Sequence, residues 1–233
     1  MTYKPSLNPQ VARLDQLKAE SLLSRFCTSI TDTRQFGLTC VTRSLGPAFA
    51  DLPGGQFLLE GVIHGHFLSA DSEEAAVSGQ GPIDSHPSHW GGTLLLTRGD
   101  GKWRPLWYKS ALITRSCEKA ERPDGREILI CEYEDGGMGH RYHVLDAIDL
   151  KHASTETPPL VVADSFDSDY CTTQQQTMEA VRWAADRRSF SVTVRTPKWQ
   201  LLREDYCDPH PPKRPKPSVG FEFEVTNEGL SQR

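Results

Sequence analysis

Four of the eight histidines fall between positions 64 and 89, and their spacing could build a metal site. His64 and His66 are separated by one residue, so on a β-strand both imidazoles would lie on the same face. His86 or His89 would supply a third ligand from a loop. Three histidines around zinc or copper leave a position open for an activated water, which is hydrolase chemistry. The alternative is that these histidines only form hydrogen bonds in a polar loop and at a strand edge.

Carboxylates form two further candidate groups. Asp164, Asp167 and Asp169 follow a predicted strand, and carboxylates at a strand end suit a hard cation. Their spacing matches no calcium loop, so we expect solvated turn residues instead. Glu132 and Glu134 would share one face of another strand. They could be a charged sheet edge that prevents aggregation, and no acid or base role is assigned to them.

Two tryptophans are placed to bind a ligand by stacking. Trp103 and Trp107 are four residues apart on the strand that follows the turn at 99–101, which predicts that both rings lie on one face. If they were exposed, they would form a platform for sugar rings or for a peptide. If they were buried, they would be part of the core, and this is the interpretation that we favour.

Other enzyme classes leave no motif in the sequence. It contains no G-x-S-x-G, no P-loop and no G-x-G-x-x-G, so catalytic residues stay unknown and the enzyme class stays open, with a non-catalytic protein favoured. The net charge of −5 disfavours nucleic-acid binding. No apolar run approaches the roughly 18 residues of a membrane span, so none is expected. The oligomeric state is not determined.

The cysteines indicate a disulfide framework. Around Pro123-Asp124-Gly125 the sequence predicts a three-residue hairpin loop. Pairing Arg122 with Arg126 then places Cys117 opposite Cys131, at a non-hydrogen-bonded site where Cα atoms approach to about 4.5 Å. We favour a disulfide there over two buried thiols. The six cysteines fall into three sequential pairs, Cys27 with Cys40, Cys117 with Cys131, and Cys171 with Cys207.

A disulfide framework predicts an extracytoplasmic location, either secreted or periplasmic. The first thirty residues contain charged side chains and no apolar signal segment, so this prediction assumes that an export signal is missing or was trimmed. Taken without that assumption, the same residues indicate the cytoplasm.

The elements that must position these residues are mainly strands. We predict a helix over 9–25, with Asn8 as its N-cap, and a polar loop over 70–89. The segment 172–186 fits a helix and a strand equally. Strands are predicted at 56–69, 93–97, 102–108, 126–132, 142–150, 160–163, 189–195 and 219–225, the first bent or divided at glycine bulges.

These elements predict a mainly β protein with an antiparallel propeller-like or sandwich architecture and an N-terminal helix. The predicted organisation is a helical arm at 1–30, a β-rich domain at 31–208, a proline-rich spacer at 209–217 and a terminal strand at 218–233 that completes the β domain.

One segment carries a resemblance to a known family. Pro123-Asp124-Gly125-Arg126-Glu127-Ile128-Leu129-Ile130, with the glycines at 136–139 and Tyr142-His143-Val144-Leu145, resembles one blade of the FG-GAP/VCBS-type β-propellers over residues 123–150. The calcium-binding Asp-x-Asp-x-Asp-Gly loop of that family is absent. The resemblance implies a secreted interaction scaffold.

The function expected from the sequence is therefore a secreted or periplasmic, non-catalytic binding or scaffold protein with a protein or glycan ligand and no cofactor. The alternative is a metal-dependent hydrolase that uses zinc or copper at His64, His66 and either His86 or His89.

Overall fold

The computed structural model describes residues 7, 9–33, 37–43, 56–80, 91–137, 140–152, 160–167, 172–173, 177–195, 219–227 and 229–233. The first sheet has six antiparallel strands in sequence order and curls into a half-barrel. Its strands follow a helix, α1 (Gln16–Leu23), and are β1 (Cys27–Thr33), β2 (Gly37–Thr42), β3 (Gln56–Gly65), β4 (Glu74–Gln80), β5 (Gly92–Gly99) and β6 (Lys102–Ser110).

Two further antiparallel sheets follow along the chain. The second sheet contains β7 (Cys117–Glu121), β8 (Glu127–Gly137), β9 (His140–Ile148), β10 (Val161–Asp167) and β11 (Thr172–Thr173), in the spatial order β11-β10-β9-β8-β7. The third contains β12 (Thr177–Trp183), β13 (Ser189–Arg195), β14 (Val219–Thr226) and β15 (Gly229–Gln232), in sequence order. The mainly β fold is thus confirmed.

Successive side chains of a strand point to opposite faces of its sheet, and the core is therefore divided into three layers. Leu94 and Leu96 belong to the cluster that α1 joins, whereas Leu95 belongs to a second cluster shared with Leu129 of the second sheet. A third cluster joins the other face of the second sheet, through Ile130, to the third sheet. The helix and the three sheets therefore pack in the order of the chain. No helix in the described part of the chain is long and apolar enough to cross a membrane.

The packing of the core cluster that α1 joins depends on two glycines that face each other on neighbouring strands. Gly79 of β4 pairs with Gly92 of β5. A Cβ at Gly79 would lie 2.5 Å from the Phe57 ring, and one at Gly92 would lie 2.5 Å from the Tyr108 hydroxyl. The absence of side chains lets these two rings pack over the strands, where they meet edge to face at 5.7 Å.

The predicted hairpin register is confirmed. The backbone N–H of Arg122 donates to the carbonyl of Arg126 at 2.8 Å, and Gly125 adopts φ +79°. Cys117 pairs with Cys131, and the two form a disulfide with Cα atoms 4.0 Å apart.

The described residues contain one more disulfide, between Cys27 and Cys40. It joins the first two strands of the first sheet, as the sequential pairing predicted. Cys171 and Cys207 lie outside the described residues, and so does the predicted spacer at 209–217.

The predicted helix over 9–25 is wrong at its start. The helix begins at Gln16, and Asp15 is its N-cap instead of Asn8, because the Asp15 carboxylate accepts the backbone N–H of Lys18 at 2.8 Å. The preceding residues, 9–12, form an extended N-terminal strap. Ala12 exchanges backbone hydrogen bonds with Val62 at 2.8 and 2.9 Å, next to the bulge in β3. Pairing with a distant strand thus replaces the helix there.

The predicted loop over 70–89 is also wrong in part, because 74–80 is the strand β4. Ala75, Ala76 and Val77 are buried by neighbouring strands, so the segment lacks the apolar and polar alternation that marks a half-buried strand. Within the ambiguous segment 172–186, the structure forms the strands β11 (Thr172–Thr173) and β12 (Thr177–Trp183).

Candidate functional site

The histidine pair lies at the end of β3. His64 and His66 are both exposed and flank the buried Gly65. The His64 ring packs 5.5 Å from the Trp103 ring, and burial lowers the pKa of His64 despite the nearby Glu73 carboxylate. The neutral imidazole, which is the metal-binding form, is therefore favoured at this position.

Backbone contacts hold His66 in place. Its N–H donates to the Glu127 carboxylate at 2.8 Å, and its Nδ1 bonds the carbonyl of Ser72. Since a carbonyl only accepts, Nδ1 carries the proton and the lone pair is on Nε2. The following turn is fixed in the same way, because the buried Glu74 carboxylate accepts the N–H of Phe67 at 2.7 Å.

A third metal ligand is not found in the described part of the chain, where no three His, Cys, Asp or Glu side chains are grouped for a metal ion. His86 and His89 lie outside the described residues, so the proposed three-histidine site stays a prediction.

The prediction that Trp103 and Trp107 share a face is wrong. Leu95 pairs with Trp107 and Leu96 pairs with Pro105, which leaves Leu106 as a bulge that reverses the alternation. Trp103 packs against the cluster with α1, whereas Trp107 packs against the cluster with the second sheet. Both rings are partly buried, so they do not form one stacking surface.

The structure places several of the candidate carboxylates differently from the prediction. Asp164 and Asp167 lie within β10, not in a turn after it, and Asp169 lies outside the described residues. Glu132 and Glu134 lie on β8, between β7 and β9 in the sheet order. At Glu132 the edge interpretation is wrong, because its N–H donates to the Ser116 carbonyl at 2.8 Å on one side and it pairs with Leu145 of β9 on the other. The described pairs of β7 end at Cys131, so for Glu134 the edge interpretation stays a prediction.

Each of these two glutamates has a definite partner. Glu132 is buried and accepts the backbone N–H of Leu7 at 3.0 Å. The Glu134 carboxylate lies 2.9 Å from Nε2 of His143, its cross-strand neighbour. Both contacts are structural, because each tethers a neighbouring segment to β8.

The sequence did not predict a groove of about 300 Å³ on the third sheet. Its floor is built by Trp183, Phe190 and Phe223, which pair across three strands. Their side chains belong to the cluster shared with the second sheet. The groove therefore opens on the opposite, outer face, where the backbone of these residues is its floor.

The rim of the groove is a row of polar residues in register. Arg182 pairs with Ser191, which pairs with Glu222, and the backbone N–H of Arg233 donates to the Glu222 carbonyl at 2.9 Å. Short side chains such as that of Ser189 lie between the long ones, which creates the depression. Its volume is at the lower end of the range for small-molecule sites.

The two arginines of the groove differ in their partners. Nε and Nη2 of Arg233 donate to the Glu224 carboxylate at 3.0 and 2.5 Å, which raises the pKa of Arg233. Arg182 is exposed, and its side chain makes no hydrogen bond or ion pair with any residue that the structure describes. Its guanidinium is therefore available to a ligand.

No known protein family, curated protein or solved structure matches this chain. The resemblance of residues 123–150 to a propeller blade accordingly stays a prediction.

Proposed function

We propose that this protein is a non-catalytic binding protein of an oxidising, extracytoplasmic compartment, and that its ligand lies in the groove on the third sheet. The observation that carries the proposal is the groove itself, a concave site with a polar rim on an antiparallel sheet. Aromatic packing beneath the floor stabilises this part of the sheet, since Phe190 stacks on Phe223 with ring centroids 5.2 Å apart.

The two described disulfides support the compartment. All four of their cysteines are buried, and such bonds persist in secreted and periplasmic proteins but are rare in the cytosol. All four cysteines of the described residues are therefore bonded, and none is free.

The test is a panel of neutral sugars, sugar acids, amino acids and short peptides, scored by the rise in melting temperature and then by calorimetric titration. A ligand at a hundred times its Kd stabilises the native state by about 2.7 kcal/mol, which is easily measured. Ser191→Trp fills the centre of the groove, whereas Thr193→Trp adds the same ring on the same strand outside its lining.

We expect at least one class to bind saturably, with binding lost in Ser191→Trp and kept in Thr193→Trp. The proposal is overturned if no class binds, or if the bound ligand is insensitive to Ser191→Trp. Turnover of the bound compound by the purified protein would overturn the non-catalytic assignment.

A metal-dependent hydrolase is the second candidate, and the orientation of His66 favours it, because Nε2 is left to coordinate a metal. The test is elemental analysis of the untagged protein and of a His64→Ala, His66→Ala double variant. Exposed His152, on a short 3-10 turn, gives the matched control His152→Ala. About one equivalent of zinc or copper, lost only in the double variant, would support a metal site there. No metal in any of the three proteins would overturn this candidate.

A further inference from the structure

We infer that the groove selects a small carboxylate, and that Arg182 is the residue that recognises it. This inference rests on the proposed function and specifies the ligand chemistry of the same site. Of the two arginines that line the groove, Arg233 is held by Glu224, whereas the Arg182 guanidinium has no hydrogen-bond or ion-pair partner among the described residues. A guanidinium presents a planar fork of donors that matches the two oxygens of a carboxylate.

The neighbour of Arg182 in the row adds a donor. Ser191 is its direct cross-strand partner, and paired residues have Cα atoms only about 5 Å apart. The hydroxyls of Ser191 and Ser189 make no hydrogen bond within the described structure, so they are available to a ligand. A carboxylate bound to Arg182 can therefore accept hydrogen bonds from the hydroxyl of Ser191 as well.

Glu222 restricts the rest of the ligand. Glu222 lies one strand beyond Ser191, which puts its backbone about 10 Å from that of Arg182. A carboxylate repels a second negative charge and accepts hydrogen bonds from hydroxyl or ammonium groups. The ligand is thus a molecule with one carboxylate at the Arg182 end and donors at the other, small enough for about 300 Å³.

Two sources share this chemistry, namely an acidic monosaccharide and the carboxylate end of a short peptide. We would titrate galacturonate against galactose, and the dipeptide Ala-Ala against its C-terminal amide, by calorimetry. The variants are Arg182→Gln, Arg182→Lys and the groove-filling Ser191→Trp. Arg25→Gln is the matched control, because Arg25 is also exposed and without a partner among the described residues.

We expect at least one carboxylate to bind roughly tenfold to a hundredfold more tightly than its neutral counterpart, as a charge-assisted hydrogen bond would give. Arg182→Gln should remove that preference, Arg182→Lys should restore part of it, and Arg25→Gln should leave it unchanged. The pair that shows the preference identifies the source of the carboxylate.

The same titrations distinguish failure of the carboxylate inference from failure of the proposed binding function. If a ligand is lost in Ser191→Trp but keeps its affinity in Arg182→Gln, or if neutral and acidic counterparts bind equally, the carboxylate inference is overturned and the groove remains a binding site. If neither carboxylate binds, the inference is likewise overturned. If a ligand binds but its affinity is unchanged in Ser191→Trp, both the carboxylate inference and the proposed function are overturned.

Discussion

Removing either of the two described disulfides should destabilise the protein by nearly the same amount. Cys117 and Cys131 are 14 positions apart, so the loop they close contains 15 residues when both ends are counted. Cys27 and Cys40 are 13 positions apart and close a loop of 14. In the loop-entropy model each crosslink raises the free energy of the unfolded chain by about 3 kcal/mol. The two values are nearly equal because they depend on the logarithm of the loop length, which hardly differs between 14 and 15 residues.

The perturbation is a pair of double variants, Cys117→Ala with Cys131→Ala and Cys27→Ala with Cys40→Ala. Alanine is chosen because all four sulfur atoms are buried, and a hydroxyl there would lack partners. The free energy of unfolding is measured by urea denaturation, with equal m-values as the condition for comparison.

Because the two loops do not overlap in sequence, the fourfold variant should lose about 6 kcal/mol. A difference of more than about 1.5 kcal/mol between the two double variants would refute the loop-entropy reasoning. Such a difference would assign the stabilisation to local packing, because the two bonds have different surroundings. The bond between Cys27 and Cys40 joins the edge strand β1 to β2, whereas Cys117 and Cys131 pack in the core cluster between the first and second sheets.

Three other predictions follow from the same structure. Thiol titration of the denatured, unreduced protein should find at most two thiols per chain, since four of the six cysteines are bonded; six thiols would contradict the oxidised state. Gly79→Ala should destabilise the protein by about 1–3 kcal/mol in urea denaturation, because its Cβ would lie 2.5 Å from the Leu58 carbonyl oxygen. The control is Gly220→Ala, whose Cβ would meet nothing within 4 Å and should leave the stability unchanged. Equal losses of stability in the two variants would contradict the packing argument. Burial raises the pKa of Asp146, so the folded state holds this proton more tightly than the unfolded state. Wild-type stability should therefore fall, relative to that of Asp146→Asn, as pH rises from about 4 through the folded pKa; parallel profiles would contradict this.

The sequence by itself determined the features that depend on short stretches of chain. The hairpin at 123–125 is closed by its own turn chemistry, so counting outward from that turn was enough to pair Cys117 with Cys131. The strands at 189–195 and 219–225 were predicted because one face is buried and the other is not, which leaves an alternating pattern.

Features that depend on distant partners were not predictable in this way. The strand β4 is buried by its neighbours and lacks the alternation, and the first turns of the predicted helix are extended because Ala12 pairs with Val62. A bulge at Leu106 likewise placed Trp103 and Trp107 on opposite faces, since one unpaired residue reverses the alternation that follows it.

The candidate site was decided by the tertiary structure alone. Arg182, Ser191 and Glu222 come from three strands, and nothing in their local sequence shows that they stand in one row. That row exists because the burial of Trp183, Phe190 and Phe223 fixes the register of the strands, and the register then carries the intervening polar residues to the outer face together. The short turn between β12 and β13 can bring Arg182 opposite Ser191, but no local turn brings Glu222 beside Ser191, because a long connection separates β13 from β14. The packing of the core sets that pairing.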